Sequence, residues 1–95
     1  MTARELVLNI AVNLGRIGRY AYEGRRVRVE QFLHETEEYA RQLELTPLPP
    51  RFKMTFDAFK QSLNELAEDI RLDAFWAETA YTWANILTHR AKLAS

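Results

Sequence analysis

Apolar residues recur along this chain at the three- and four-residue spacing of amphipathic helices. Glycine, proline and polar residues divide the apolar stretches into four segments. No β-type alternation of polar and apolar residues exceeds the four residues RVRV. The pattern therefore predicts an all-α protein with helices at about residues 3–22, 27–44, 55–71 and 73–93.

The first predicted helix has a clear beginning, a clear end and a single apolar face. Thr2 and Glu5 have the spacing of a capping box, and Gly24 is typical of the residue that follows a helix. We expect one side of this helix to face the core. That side carries Ala3, Leu6, Val7, Ile10, Leu14, Ile17 and Ala21.

The boundary between the third and fourth helices is less clearly marked than the others. All three prolines lie within residues 46–51, which predicts an extended connector before the third helix. Residues 71–73, in contrast, contain neither glycine nor proline. We expect a turn here, with Asp73 as the N-cap of the fourth helix. The alternative is one continuous helix over residues 55–93, which would have to pair with a second chain.

The length of the chain allows one domain. For 95 residues, of which 47% are hydrophobic, we expect an antiparallel up-down-up-down four-helix bundle over residues 1–95. The first and last helices are neighbours in that arrangement. Gly15 and Gly18 lie beside the apolar face of the first helix, and we expect both to face the fourth helix. An indole, that of Trp76 or Trp83, would fill the space that the glycines leave.

Composition and charge exclude several classes of function. The chain has no cysteine, and its 13 basic and 13 acidic side chains cancel. No apolar run approaches the roughly 18 residues of a membrane span. We therefore expect a cytoplasmic protein that does not bind membranes. The sequence also lacks the motifs of phosphate-binding loops, zinc proteases and serine hydrolases, and we expect no catalysis, no metal and no cofactor.

Residues 15–28 depart from this helical pattern. They contain all three glycines and five of the ten arginines. Arginine presents fixed N–H donors to phosphate and tyrosine offers a ring for stacking, so this segment is a candidate for binding a nucleotide or a nucleic acid. The residues proposed to contact phosphate or a partner are Arg16, Arg19, Tyr20, Arg25, Arg26 and Arg28.

A competing interpretation is that these arginines pair with acidic residues of the protein itself. Residues 1–29 carry six basic and two acidic side chains, whereas residues 30–45 carry one basic and five acidic side chains. Glu23, Glu30 and Glu37 would then neutralise the arginines, and the segment would be a solvated turn.

The fourth helix carries more apolar surface than a monomer of this size readily covers. Beside a stripe of alanines it has a second stripe, formed by Leu72, Phe75, Thr79, Ile86 and Leu93. This stripe is a candidate interface. It favours a small protein-interaction or adaptor module that binds another protein, or itself as a homodimer. Binding of a nucleotide or nucleic acid through the arginine-rich turn is the alternative function.

Overall fold

A computed structural model describes all 95 residues of the protein, which form four α-helices and no strand. α1 covers Ala3–Tyr22, α2 Arg26–Glu44, α3 Pro50–Glu68 and α4 Ala74–Arg90, and a short 3-10 helix at Ala91–Ala94 follows α4. α1 lies between α2 and α4, and α3 packs across the core from α1. The predicted all-α, up-down-up-down four-helix bundle is confirmed.

α1 begins and ends at the residues that the sequence predicts. The Thr2 hydroxyl accepts a hydrogen bond from the Glu5 N–H at 3.1 Å, and the Glu5 carboxylate accepts one from the Thr2 N–H at 2.9 Å. The bond from the Thr2 backbone lowers the pKa of Glu5 because it favours the ionised carboxylate. Gly24 has a positive φ of 68°, which glycine adopts without strain, and the chain turns there toward α2.

α3 begins earlier than predicted, at Pro50 instead of Thr55. Pro49 has extended backbone angles, and its carbonyl accepts hydrogen bonds from the N–H groups of Phe52 and Lys53 at 3.0 and 3.2 Å. Proline is favourable at the first helical position because its φ is already helical and the N–H that it lacks would have no partner there. The longer helix also places Phe52 in the core, where it is completely buried.

α3 and α4 are separate helices, and Asp73 caps α4 as predicted. The Asp73 carboxylate accepts a hydrogen bond from the Trp76 N–H at 2.8 Å. α3 ends at Glu68, three residues before the predicted boundary. The Trp76 indole donates to the Leu66 carbonyl at 3.2 Å, so a side chain of α4 satisfies a carbonyl near the end of α3.

The turn between α3 and α4 contains the one residue other than glycine with a positive φ. Leu72 has a φ of 60°, in the left-handed region that costs an L-residue about 1–2 kcal/mol. The side chains of Leu72 and Ile70 pack against the core. Burial of these apolar side chains offsets the backbone strain, which explains how the helices separate here without glycine or proline.

The core lies along the axis of the bundle. The α1 residues predicted to face it are buried, apart from Ala3, which is half-buried. α4 meets α1 through Ala77 and Ala80, and these small, completely buried side chains let the two helices pack closely. α3 packs against the same core with three buried rings, those of Phe52, Phe56 and Phe59.

The two glycines inside α1 have different surroundings. A Cβ atom added at Gly18 would lie 2.9 Å from the ring of Tyr81, so Gly18 faces α4 as predicted. The ring that fills the space is a phenol and not an indole, and that part of the prediction was wrong. The prediction was also wrong for Gly15, where an added Cβ would meet no atom within 4 Å. Gly15 lies about 60° further around the helix from the core than Gly18, and it therefore turns away from α4.

Candidate functional site

Four arginines of the glycine-rich segment gather around two aromatic rings. The guanidinium carbons of Arg19, Arg25 and Arg28 lie 4.8, 5.1 and 6.0 Å from the centre of the Tyr20 ring. The guanidinium carbon of Arg16 lies 5.4 Å from the centre of the Phe32 ring. The two rings stack with their centres 5.8 Å apart. We call this set the arginine–aromatic cluster; its members are Arg16, Arg19, Tyr20, Arg25, Arg28 and Phe32.

The end of α1 and the start of α2 hold the arginine–aromatic cluster in place. The N–H of Arg25 donates to the Tyr20 carbonyl at 2.9 Å, which is one of the two hydrogen bonds of a Schellman motif at Gly24. This motif reverses the chain and brings Arg25 back over the last turn of α1. Arg28 and Phe32 are four residues apart on α2, so they lie on the same side of that helix.

One acidic residue lies among the arginines of the cluster. The Glu23 carboxylate is 4.0 Å from the Arg19 guanidinium and 3.6 Å from that of Arg25, distances longer than a hydrogen bond. Glu30 and Glu37 form no ion pair with the arginines of residues 15–28. Direct ion pairs within the protein, which the competing interpretation of the sequence requires, are therefore limited to those of Glu23, and Glu35 reaches Arg16 only through Asn13.

Arg26 lies apart from the cluster, although the sequence groups it with the other arginines. Its guanidinium donates to the Ile70 carbonyl at 3.0 Å. This bond joins the start of α2 to the turn between α3 and α4, and the two turns lie at the same end of an up-down-up-down bundle. Arg26 therefore links two parts of the fold.

Sequence reasoning did not assign Asn13, Phe32 or Glu35 to this site. Asn13 is 2% exposed; it donates to the Glu35 carboxylate at 3.2 Å and accepts a hydrogen bond from the Arg16 guanidinium at 3.4 Å. The apolar pattern of α2 predicts that Phe32 faces the core, and Phe32 does pack against it, but its ring is half-buried and also stacks on Tyr20. The sequence does contain one signal for these contacts, which is Asn13, because it is a polar residue among the apolar positions of α1.

A second candidate surface lies between α3 and α4, on the other side of the bundle from α1 and α2. Phe75, at the start of α4, is 82% exposed, and Met54 of α3 is 81% exposed. Two shallow depressions lie between these two residues, one lined by α4 alone and one lined by both α3 and α4, and the half-buried Trp83 lines both. We call this surface the α3–α4 groove; its main lining residues are Met54, Ala58, Phe75, Thr79, Trp83 and Ile86.

The structure divides the predicted interface stripe of α4 into outer and inner residues. Phe75, Thr79 and Ile86 line the α3–α4 groove. Leu72 and Leu93 are half-buried and pack against the core at the two ends of α4. The groove is thus formed by the middle of the predicted stripe, together with residues of α3.

Trp83 and Met54 complete the groove, and sequence reasoning did not assign either to the interface. The Trp83 indole meets the Phe59 ring edge to face, with ring centres 5.6 Å apart. This contact fixes the indole against the core while leaving part of it in the groove. Trp83 follows Thr79 by four residues on the same side of α4, and that spacing was the signal for it.

The two ends of the α3–α4 groove carry opposite charge. Arg90, at the end near Met54, donates to the Thr55 hydroxyl at 2.8 Å and has no carboxylate partner. Arg71 lies at the other end, near Phe75, where it is 3.8 Å from the carboxylate of Asp69. The acidic side chains at this second end outnumber Arg71; they are Glu65, Asp69, Asp73 and Glu78.

Two further pairs of polar side chains join neighbouring helices. The Tyr22 hydroxyl donates to Glu78 at 2.8 Å, joining α1 to α4, and this bond raises the pKa of Tyr22. Lys60 donates to Glu44 at 2.9 Å, joining α3 to α2, and this bond raises the pKa of Lys60. No group of three or more histidine, aspartate or glutamate side chains has an arrangement that could hold a metal ion.

No known protein family, no curated protein and no solved structure matches this chain. None of the helices combines the length and the apolar character that crossing a membrane requires.

Proposed function

We propose that this protein is a small, non-catalytic protein-interaction module, that the α3–α4 groove is its binding surface, and that a second copy of the chain occupies the groove. The observation that carries this proposal is the Phe75 ring, which is 82% exposed. Burial of a phenylalanine side chain contributes about 1.5–3 kcal/mol. Covering the ring with an apolar partner is therefore favourable.

The composition of the α3–α4 groove suits a helix as the occupant. Phe75, Trp83 and Met54 follow one another along it, and the groove extends from Phe75 to Ile86 over about three helical turns of α4. Aromatic residues and methionine are enriched in protein interfaces, where an aromatic side chain often supplies much of the binding energy. Trp83 is already fixed by Phe59, so little side-chain entropy would be lost when it is covered.

The order of residues along α4 favours a second copy as that occupant. Two α4 helices can lie antiparallel with a two-fold axis between Thr82 and Trp83. Thr79 then faces Ile86 of the second copy, and Phe75 faces Arg90 of the second copy. Threonine leaves room for the larger isoleucine, and a guanidinium stacks favourably on an aromatic ring. The same contacts occur twice, as a two-fold interface requires.

Charge complementarity supports the same arrangement. An antiparallel pairing brings the acidic end of each groove, near Phe75, against the Arg90 end of the other copy. The dipoles of the two α4 helices are also antiparallel, so the positive end of each lies beside the negative end of the other. A parallel pairing would instead place like charges together, which is unfavourable.

Replacement of Phe75 by a charged residue tests this function. We expect the wild type to have twice the chain mass of 11.1 kDa by light scattering, and Phe75→Glu to have the mass of one chain. Leu45→Glu is the matched control, because Leu45 is 88% exposed and lies at the end of α2, outside the groove. This control variant should keep the mass of the wild type. Equal masses for the wild type and Phe75→Glu would contradict the proposal.

The cytoplasmic location expected from the sequence stays a prediction. Fractionation of cells that produce the protein would test it, with recovery in the cytoplasmic fraction as the expected result.

A further inference from the structure

The arginine–aromatic cluster lies outside the α3–α4 groove, and contacts within the chain leave most of its hydrogen-bond donors unused. Each guanidinium has five N–H donors. Arg16 and Arg19 donate one hydrogen bond each to neighbouring side chains, at 3.4 and 3.1 Å. Arg25 is 3.6 Å from its closest carboxylate and Arg28 has no carboxylate partner. The donors are therefore free to bind a ligand that accepts hydrogen bonds.

The two aromatic rings hold the guanidiniums and offer little free surface of their own. Phe32 stacks on Tyr20 with an angle of 11° between the ring planes, and three guanidiniums surround the Tyr20 ring. A guanidinium held over a ring keeps its N–H donors in its own plane, where they remain available to a phosphate group. A base would find no free ring on which to stack. The ligand of this cluster is thus expected to present phosphates and not bases.

The charge of the cluster exceeds what a single phosphate group would neutralise. Four arginines face two carboxylates, that of Glu23 and that of Glu35, which Asn13 links to Arg16, and this leaves an excess of two positive charges. The first turn of α2 carries no acidic residue, and Arg25 at its N-cap forms no capping hydrogen bond. The positive end of the helix dipole therefore adds to this excess. A ligand with several consecutive phosphates fits this charge.

We propose that the arginine–aromatic cluster binds the phosphodiester backbone of a single-stranded nucleic acid, without regard to its base sequence. All basic residues in the cluster are arginines, whose fork of donors matches phosphate oxygens, whereas a membrane surface attracts lysine equally well. The exposed carboxylate of Glu35 lies on the same side of α2 as Arg28 and accepts a hydrogen bond from Asn13, next to Arg16. A flat anionic membrane would approach this carboxylate as well, and a single strand can follow the arginines alone.

Fluorescence anisotropy with a labelled single-stranded RNA of about 15 nucleotides measures this binding. The cluster variant is Arg19→Gln combined with Arg28→Gln. The matched control is Arg4→Gln combined with Arg51→Gln, which removes the same charge from exposed positions outside the cluster. We expect binding to weaken about tenfold or more in the cluster variant and less than about twofold in the control. For the wild type, the slope of log affinity against log salt should be about −2 to −3.

Substitutions of Tyr20 test whether the ring positions the guanidiniums. Tyr20→Phe keeps the ring and loses only the hydroxyl that accepts a hydrogen bond from Arg19 at 3.1 Å, so it should bind almost as tightly as the wild type, whereas Tyr20→Leu removes the ring and should bind about three- to tenfold more weakly. Melting temperatures measured beside the affinities show that both variants are folded. Equal affinities for folded Tyr20→Phe and Tyr20→Leu would contradict the role of the ring.

Three results would overturn the proposal. The first is no binding of the wild type to the strand at low salt. The second is an equal loss of affinity in the cluster variant and the control, which would indicate general attraction. The third is displacement of the strand by polyglutamate or by anionic lipid vesicles at the same concentration of charge, which would assign the cluster to an acidic protein or to a membrane. The proposal is supported if the protein prefers the single-stranded RNA to both competitors, whatever the base sequence of the RNA.

Discussion

Gly15 and Gly18 are one turn apart on α1, and what surrounds each of them decides how a larger side chain would affect stability. Tyr81 fills the space over Gly18, whereas nothing lies near a Cβ at Gly15. Sequence alone indicates that both glycines lie beside the core face. It does not show which of them α4 covers, because that depends on how the two helices are rotated against each other.

Leucine substitutions at the two glycines should therefore change stability in opposite directions. Gly18→Leu should lower the free energy of unfolding by about 1–3 kcal/mol, because the new side chain overpacks against Tyr81. Gly15→Leu should raise it by up to about 1 kcal/mol, because leucine has the higher helix propensity and open space is available. Thermal unfolding followed by circular dichroism measures both changes. A change of the same sign in the free energy of unfolding of both variants would contradict the difference between the two glycine sites.

Residues of the candidate site show the same limit of sequence reasoning. The grouping of Arg25 and Arg28 with Tyr20 follows from a turn at Gly24, and a sequence can predict such a local feature. The stacking of Phe32 on Tyr20 depends on the register of α2 against α1, which no local pattern determines. The separation of Arg26 from the cluster depends in the same way on the distant Ile70 carbonyl.

At the level of the helices, the capping residues are predicted correctly, whereas the start of α3 at a proline and its end beside a side chain of α4 are not. The capping box of Thr2 and Glu5 fixes the start of α1 within its own first turn. α3, in contrast, starts at Pro50 and so places Phe52 in the core. Its other end is supported by the Trp76 indole of the next helix, a contact that hydrophobic periodicity cannot predict.

The cap of α4 provides a prediction at this level. Asp73→Ala should lower the free energy of unfolding by about 0.5–2 kcal/mol, because the Trp76 N–H loses its acceptor. Asp69→Ala is the matched control: its carboxylate also lies near Arg71, at 3.8 Å against 3.6 Å for Asp73, but it accepts no backbone hydrogen bond. Urea unfolding should therefore show a clearly smaller effect for Asp69→Ala. Equal effects would mean that the ion pair, and not the cap, accounts for the role of Asp73.

In the whole molecule, the two candidate surfaces lie on opposite sides of the bundle. The arginine–aromatic cluster belongs to α1 and α2, and the α3–α4 groove belongs to the other pair of helices. Two chains joined through their α4 helices would therefore leave both clusters accessible. Self-association and nucleic-acid binding are independent in this arrangement. Phe75→Glu should therefore leave the affinity of each chain for a short single-stranded RNA unchanged.

The antiparallel orientation of the two chains can be tested with single cysteines, since the protein has none of its own. Thr79→Cys and Ile86→Cys should form a disulfide with each other when the two variants are mixed under oxidising conditions. Neither variant should link efficiently to itself, because its two copies would lie about 10 Å apart along the helices, too far for a disulfide. Gel electrophoresis without reducing agent measures the products. Efficient linking of each variant to itself would indicate a parallel arrangement instead.

The mass of the wild-type protein in solution, measured by light scattering over a series of concentrations, tests the central claim most directly. If the α3–α4 groove is occupied by a second copy, the mass should rise to twice the chain mass of 11.1 kDa as the concentration increases. A mass of one chain up to high micromolar concentrations would contradict self-association through this groove.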